Sequence, residues 1–194
     1  QIDYKQAIRE INKLIDSIKN GTERTTQSVN GLRTFSRLDE DVLKFADIHE
    51  GLESTLILLR NKYKNRIEII REYADLPQVE CYPGQLNQVF MNILSNAIDA
   101  IDDQGTITIT TSKTNGFVRI SIQDTGKGIP ESLKAKIFDP FFTTKEVGEG
   151  TGLGLSISHG IIEKHKGSIR VKSDIGKGSE FIISLPAKQN NQDT

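Results

Sequence analysis

The sequence predicts an α+β fold: a long N-terminal helix followed by a two-layer α/β sandwich in which helices cover one face of a sheet. Three observations carry that expectation. Residues 3–38 place apolar or small side chains at alternating spacings of three and four, the seam of a coiled coil or helical bundle. TITITT and VRISIQ alternate at period two, as half-buried strands do. Before them stands NQVFMNILSNAIDAI, residues 87–101, apolar almost all the way round as a buried helix is.

The seam runs through Ile8, Ile11, Ile15, Ile18, Thr22, Thr25, Val29, Leu32 and Ser36. Gly21 and Gly31 interrupt it, each costing up to ~1 kcal/mol relative to alanine. So narrow a stripe calls for a partner helix, and no other segment offers a seam of that length; the partner is expected on a missing segment or on another copy. SRLDED (36–41) reads as the exit and linker. GLESTLILLRNKYK reads as a helix, IEIIREY as a strand, DLPQVECYPG as a loop and 84–101 as the next helix. A turn at 102–105 leads into TITITT, and Asn115-Gly116, a hairpin signal, into VRISIQ. Residues 130–138 are expected to form a short helix opening at Pro130. Residues 139–152, rich in Gly and Thr and without a period, read as a long loop. LGLSISHGIIEKHK reads as a helix ending near Gly167, SIRVKS and EFIISLP as the last strands, and AKQNNQDT as a disordered polar tail.

Composition narrows the function. A net charge of −1 over 194 residues gives no reason to expect nucleic acid or an anionic membrane as partner. The single cysteine, Cys81, excludes an internal disulfide framework and a cysteine metal cluster, which points to a reducing cytoplasm. No apolar run approaches the ~18 residues of a membrane span, and no signal peptide is visible. The chain opens on Gln1 rather than Met and is expected to belong to something longer.

Three polar features then stand out. Asn92, Asn96 and Asp99 fall within roughly 60° of one another on the helix circumference. Buried unpaired amides cost several kcal/mol, so this stripe faces water or a polar ligand, and an asparagine oxygen suits Mg²⁺ completed by phosphates and waters. DTGKGIP (124–130) follows a strand directly: its carboxylate can accept from an exocyclic amine, and its glycines let backbone approach a flat ligand. GEGTGLGLSIS (148–158) sets Gly150, Gly152 and Gly154 before a helix, a cradle for an anion. It is neither a Walker loop nor a dinucleotide fingerprint. FDPFFTTK (138–145) lies between, with aromatics able to pin the ends of a mobile loop that would serve as a lid.

Together and in this order, these segments resemble the sensor histidine kinases of two-component signalling: the asparagine helix their N box, DTGKGIP and GTGLGL their two glycine boxes, and FDPFF their F box. The resemblance covers about residues 49–186. It implies the Bergerat-type ATP-binding fold, a mixed sheet covered by helices, shared with chaperone and topoisomerase ATPases. Carried over, Asn96 resembles the magnesium ligand and Asp124 the residue that reads the adenine amine. Gly126, Gly128 and Ile129 would flank the base, with Asn92, Asp99, Phe138 and Ser179 also at the nucleotide. The loop 139–152, with Thr144 and Lys145 in it, would be the ATP lid, and Gly150, Thr151, Gly152, Leu153, Gly154 and Leu155 would lie along the phosphates. Asn92 and Lys145 take the catalytic places.

Two departures matter. Many family members carry a basic residue where this chain has Asp99, which shifts the cationic phosphate contact to Lys145. The related ATPases place a water-activating Glu where this chain has Asn92, and an amide is a poor general base. The site therefore favours transfer to a supplied nucleophile over hydrolysis.

Residues 1–40 resemble the second helix of the family's dimerisation and phosphoacceptor hairpin, 41–187 its catalytic domain, and 188–194 a disordered tail. The first hairpin helix, with its acceptor histidine, is absent. His49 follows the hairpin and lacks the downstream Pro, so it is not the acceptor, and His159 and His165 are packing or surface residues. The resemblance implies a cytoplasmic protein-histidine kinase that uses ATP and Mg²⁺ and passes phosphate to a response regulator. Its parent would be a homodimer, and this segment would touch neither membrane nor nucleic acid. The alternatives are an anti-sigma-type serine kinase of the same fold, or a nucleotide-gated interaction module without kinase activity.

Overall fold

The computed structural model describes residues 14–15, 42–145 and 152–189. Of the expected seam helix only Leu14 and Ile15 fall among these, helical and exposed. The rest of that helix, the linker at 36–41 and the loop at 146–151 lie outside the described residues.

Five strands form one mixed sheet: β2 (Ile67–Glu72), β4 (Gly105–Thr114), β5 (Phe117–Asp124), β6 (Ser168–Asp174) and β7 (Gly178–Pro186), in the order β2-β4-β5-β7-β6. Only β2 and β4 run parallel. A parallel pair needs a crossover, and the long helix α2 (Pro83–Ala100) supplies it. Helices α1 (Ile48–Tyr63), α2 and α4 (Gly154–Lys164) pack side by side as the second layer, while α3 (Glu131–Lys134) is a single turn. This is the expected α+β sandwich. Two strands are additions to it: β1 (Lys44–Ala46) and β3 (Val79–Cys81) pair antiparallel in a small sheet of their own.

The sheet buries one face. Along β5, Val118, Ile120 and Ile122 are buried while Arg119 and Gln123 are exposed, the alternation of a strand with a single core side. Asn115 and Gly116, both in the left-handed region, close the β4–β5 hairpin as a two-residue turn. Opposite the sheet, α2 buries Leu86, Val89, Phe90, Ile93, Leu94, Ala97 and Ile98, leaving one stripe free for polar residues. Each such side chain contributes on the order of 1.5–3 kcal/mol when fully buried.

The helix ends are specified by side chains. The Asp47 carboxylate accepts from the N–H of His49 at 2.8 Å and starts α1. Arg66 closes both α1 and α2: its guanidinium donates to the carbonyls of Lys62 (3.0 Å), Ile98 (3.1 Å) and Ile101. All three carbonyls lie at helix C-termini, where intrahelical donors run out.

Two sequence-based boundaries move. The helix expected over 130–138 is confined to Glu131–Lys134, with Pro130 as its cap. The chain also stays attached past residue 188, since Gln189 donates from its N–H to the Glu80 carboxylate (2.7 Å) and from its side chain to the His165 carbonyl (2.9 Å).

Candidate functional site

The free stripe of α2 forms one wall of a cleft of about 390 Å³, closed on the other sides by the DTGKGIP segment, the FDPFFTTK segment and the start of α4. Asn92, Asn96 and Asp99 all line it. Asn92 spends both amide hydrogens holding α4 in place: Nδ2 donates to the Gly154 carbonyl (2.9 Å) and to Ser158 Oγ (3.1 Å). Among the described residues nothing bonds to the Asn96 amide, which faces the cleft. Asp99 is occupied instead, its Oδ2 2.5 Å from Lys145 Nζ.

Asp124 sits deepest. Its burial follows from register: it continues the inward series Val118, Ile120, Ile122 at a place where an apolar residue would ordinarily stand. Only 2% exposed, its Oδ1 accepts from the N–H groups of Gly126 (2.8 Å) and of Ser179 (3.3 Å), its partner across the β5–β7 register. Burial pushes its carboxyl above the usual carboxylate range, and the two backbone N–H groups, which favour the charged form, oppose that rise. The second carboxylate oxygen has no partner among the described residues, at the edge of the cleft that Asp124 lines.

Gly126 does different work from that expected. A Cβ on Gly126 would lie 2.4 Å from the Ala100 carbonyl oxygen. Gly126 therefore lets the loop pass the end of α2, and it does not itself line the cleft. The segment is tied down further on: Lys127 N–H donates to Ala100 O (3.0 Å), Gly176 N–H to Lys127 O (2.9 Å), and Ile129 N–H to Ser173 Oγ (2.7 Å).

The ends of the loop close through backbone. Phe141 is 74% exposed and adopts a φ of 67°, rare for a side-chain-bearing residue. Gly152, at φ 66°, lies so close that a Cβ there would fall 2.3 Å from the Phe141 carbonyl carbon. The two ends of the loop meet at this point. Phe138 packs against the core and tilts onto His159 at 5.4 Å, and Phe142 turns into the cleft.

Of the remaining expected site residues, Gly128, Ile129, Thr144, Lys145, Gly152, Gly154, Leu155 and Ser179 line the cleft. Phe138 and Leu153 do not; Leu153 caps α4, its carbonyl accepting from Ile157 N–H and Ser156 Oγ. Gly150 and Thr151 lie outside the described residues. The structure adds Ser95, Lys127, Leu133, Ile137, Phe142 and Phe181 to the lining. Leu133 and Ile137 carried a signal, an apolar pair four apart in the short helical segment, which reads equally well as ordinary packing.

None of the three histidines lines the cleft. His49 stacks on Tyr73 with ring centroids 4.3 Å apart and places Nε2 3.0 Å from Thr111 Oγ1. His159 is on the surface beside Glu163. His165 is buried, accepts from Tyr82 N–H at Nε2 (3.0 Å) and holds Nδ1 2.7 Å from the Ile161 carbonyl, which fixes the neutral tautomer with its proton on Nδ1. Among the described residues no group of three or more His, Cys, Asp or Glu could hold a metal ion. No described helix is long and apolar enough to cross a membrane.

Residues 81–189 match the family model of histidine kinase-, DNA gyrase B- and HSP90-like ATPases. The sensor histidine kinase ZraS of Escherichia coli (strain K12) is 36% identical over 186 residues, which cover 95% of this chain and 40% of ZraS. The chain thus spans less than half the length of that relative. Among solved structures, the nucleotide-free catalytic domain of histidine kinase ThkA aligns with a TM-score of 0.69 at 36% identity, covering 76% of this chain and 97% of that one. ThkA in complex with response regulator protein TrrA aligns at 0.64 with 34% identity, covering 91% of this chain and 51% of that one. The family match takes in α2, Asp124, the FDPFFTTK segment and α4, from which the cleft is built, and the chain belongs to the histidine kinase-, DNA gyrase B- and HSP90-like ATPases as an ATP-binding domain of the sensor histidine kinase kind.

Proposed function

We propose that this cleft binds Mg-ATP and presents its γ-phosphoryl group to a histidine on the other helix of a dimerisation hairpin, from which it passes to a response-regulator aspartate. In this reading residues 1–40 are the second hairpin helix and 41–187 the catalytic domain of a homodimeric, cytoplasmic kinase. One observation carries most of the weight: a buried carboxylate with one oxygen fixed by two backbone N–H groups shares a single cleft with an asparagine amide that has no partner among the described residues.

The adenine end is preformed. With Oδ1 of Asp124 held, the other oxygen is aimed and can accept from the exocyclic amine, while Leu133, Ile137 and Phe142 offer an apolar wall to the ring. The phosphates would lie toward Gly152 and Gly154, where the start of α4 lines the cleft and the helix dipole favours an anion. Asn92 keeps that helix end on α2.

The donor set suits magnesium. One neutral amide oxygen, without a surrounding acidic cluster, fits an ion that keeps waters and takes phosphate oxygens for most of its shell. When bound, the ion would neutralise charge on the transferring phosphates, the usual requirement of phosphoryl transfer. Asn96 would hold it, and Lys145 would add a cationic contact once released from Asp99. Asn92 has no free amide hydrogen and no basic nitrogen, so nothing at that position activates water.

Titration calorimetry with Mg-ATP tests the assignment. Asp124→Asn should weaken ATP about 10- to 100-fold, since it removes a buried charged acceptor, and Asn96→Ala should weaken ATP in Mg²⁺ but not in EDTA. Unchanged affinity in both variants rejects the reading.

A further inference from the structure

We propose that Asp99 is a positioning residue for Lys145: without nucleotide it holds the lysine ammonium on α2, and the phosphates take that ammonium over when nucleotide enters. The inference rests on the cleft being a nucleotide site, and adds to it a defined exchange of partners at the phosphate end.

The pair spans the mouth of the cleft. Asp99 lies three residues after Asn96 on the same stripe, while Lys145 is the last described residue before the tip of the lid. Their atoms approach to 2.5 Å with side chains 32% and 35% exposed. A turn fixes the approach, the Lys145 N–H donating to Thr143 Oγ1 at 3.1 Å. The lid arm is therefore anchored twice, at the Phe141–Gly152 stem and at α2. Only two acids line the cleft among the described residues, and Asp124 is committed to backbone N–H groups, so Asp99 is the carboxylate available to Lys145.

The strength of the pair suits an exchange. An ion pair this exposed shifts an equilibrium by about two- to fivefold, too little to keep out a ligand carrying several negative charges. Mg-ATP remains anionic and outbids a single carboxylate for one ammonium on Coulombic grounds. AMP has no β- or γ-phosphate to offer, so it leaves the pair in place. The exchange thus makes the position of Lys145 respond to the length of the phosphate chain and not to the base.

The experiment is a double-mutant cycle on the whole chain, with Mg-ATP and AMP affinities measured by calorimetry. Measurable ATP binding by the unaltered protein, weakened about 10- to 100-fold in Asp124→Asn, upholds the cleft assignment independently. Lys145→Gln should weaken ATP about three- to tenfold and leave AMP unchanged. Asp99→Asn should tighten ATP about two- to fivefold, leave AMP unchanged, and raise amide exchange at residues 142–145 in the nucleotide-free protein only. Asp99→Glu should restore the original values. In the Lys145→Gln background the gain from Asp99→Asn should fall by half or more. A gain that persists in full there means that Asp99 acts by direct repulsion of phosphate, and overturns the proposal; so does an Asp99→Asn variant with unaltered ATP affinity. Lys145→Gln with unaltered ATP affinity overturns it as well, while leaving the cleft assignment intact.

Discussion

One added methyl group tests the packing logic of the site in both directions. At Gly126, an alanine Cβ would stand 2.4 Å from the Ala100 carbonyl oxygen, 2.6 Å from its carbon and 2.8 Å from its Cβ. A carbon–oxygen contact ordinarily needs about 3.3 Å, so loop and helix must part by roughly 0.9 Å. Both sides are backbone and neither has a rotamer to give. The same carbonyl accepts from Lys127 N–H at 3.0 Å, and Gly126 N–H is one of the two donors to Asp124. Overpacking of this kind costs about 1–3 kcal/mol, and a strained hydrogen bond adds about 0.5–1.5 kcal/mol, giving about 1.5–4.5 kcal/mol for Gly126→Ala. Gly160, within α4, has nothing within 4 Å of an added Cβ. There the identical change should stabilise by about 0.4–1 kcal/mol, because alanine loses less freedom in a helix. Since the chain has no Trp, urea unfolding is best followed by far-UV circular dichroism. Equal slopes with midpoints moving in opposite directions are expected. A Gly126→Ala variant within 0.5 kcal/mol of the parent, on the order of a neutral surface change, would refute the claim that this glycine is required by the close approach of loop to helix.

Three further outcomes follow from the same contacts. Arg66→Met should cost about 1.5–3 kcal/mol by leaving the carbonyls of Lys62, Ile98 and Ile101 without their cationic donor, and Arg66→Lys should recover little, since one ammonium cannot span three carbonyls. Burial holds the His165 pKa below its ordinary value, so the unfolded chain binds a proton that the folded chain refuses. Stability should be level above pH ~6.5 and fall as pH drops below it, and His165→Gln should remove that slope in urea titrations. The Asp124 pKa is raised, so its carboxylate is protonated at a higher pH than that of an exposed aspartate. ATP affinity should accordingly decline on acidification before surface carboxylates titrate, and Asp124→Asn should flatten the profile.

What the sequence made legible depended on how far each signal reaches along the chain. α2 is long enough for its apolar face and its polar stripe to be read separately, and both are where the spacing put them. β4 and β5 carry enough alternating residues to declare one buried side. That alternation already contained the burial of Asp124, which shares the parity of Val118, Ile120 and Ile122. β1 and β3, three residues each, are too short for any period and exist because they find one another. The role of Gly126 was invisible because the atom it must clear belongs to Ala100, at the end of another element. The Lys145–Asp99 pair joins residues 46 apart, and no local pattern announces a contact of that kind. The apolar wall from Leu133 and Ile137 escaped for another reason: core and ligand wall are built from the same side chains.

The two ends of the cleft are held by forces of different strength, and this orders events within it. Around Asp124 the restraints are backbone hydrogen bonds in buried surroundings, and the loop beyond is stitched to α2 and to the β6–β7 hairpin. A base entering there meets donors and acceptors that need not move. At the other end, beyond the Phe141–Gly152 approach, Lys145 is held to α2 by an ion pair that water already reaches. Entry of the base therefore changes little, and it is the phosphates that have something to rearrange. On the proposed reading, binding energy from the phosphate chain would go into moving Lys145 off Asp99. Because both amide hydrogens of Asn92 are engaged and its remaining atom is a weakly basic oxygen, a closed lid would shelter the γ-phosphoryl group without supplying a base for water. The group then waits for a nucleophile brought from outside the cleft, and a site so arranged should turn over ATP slowly until that nucleophile arrives.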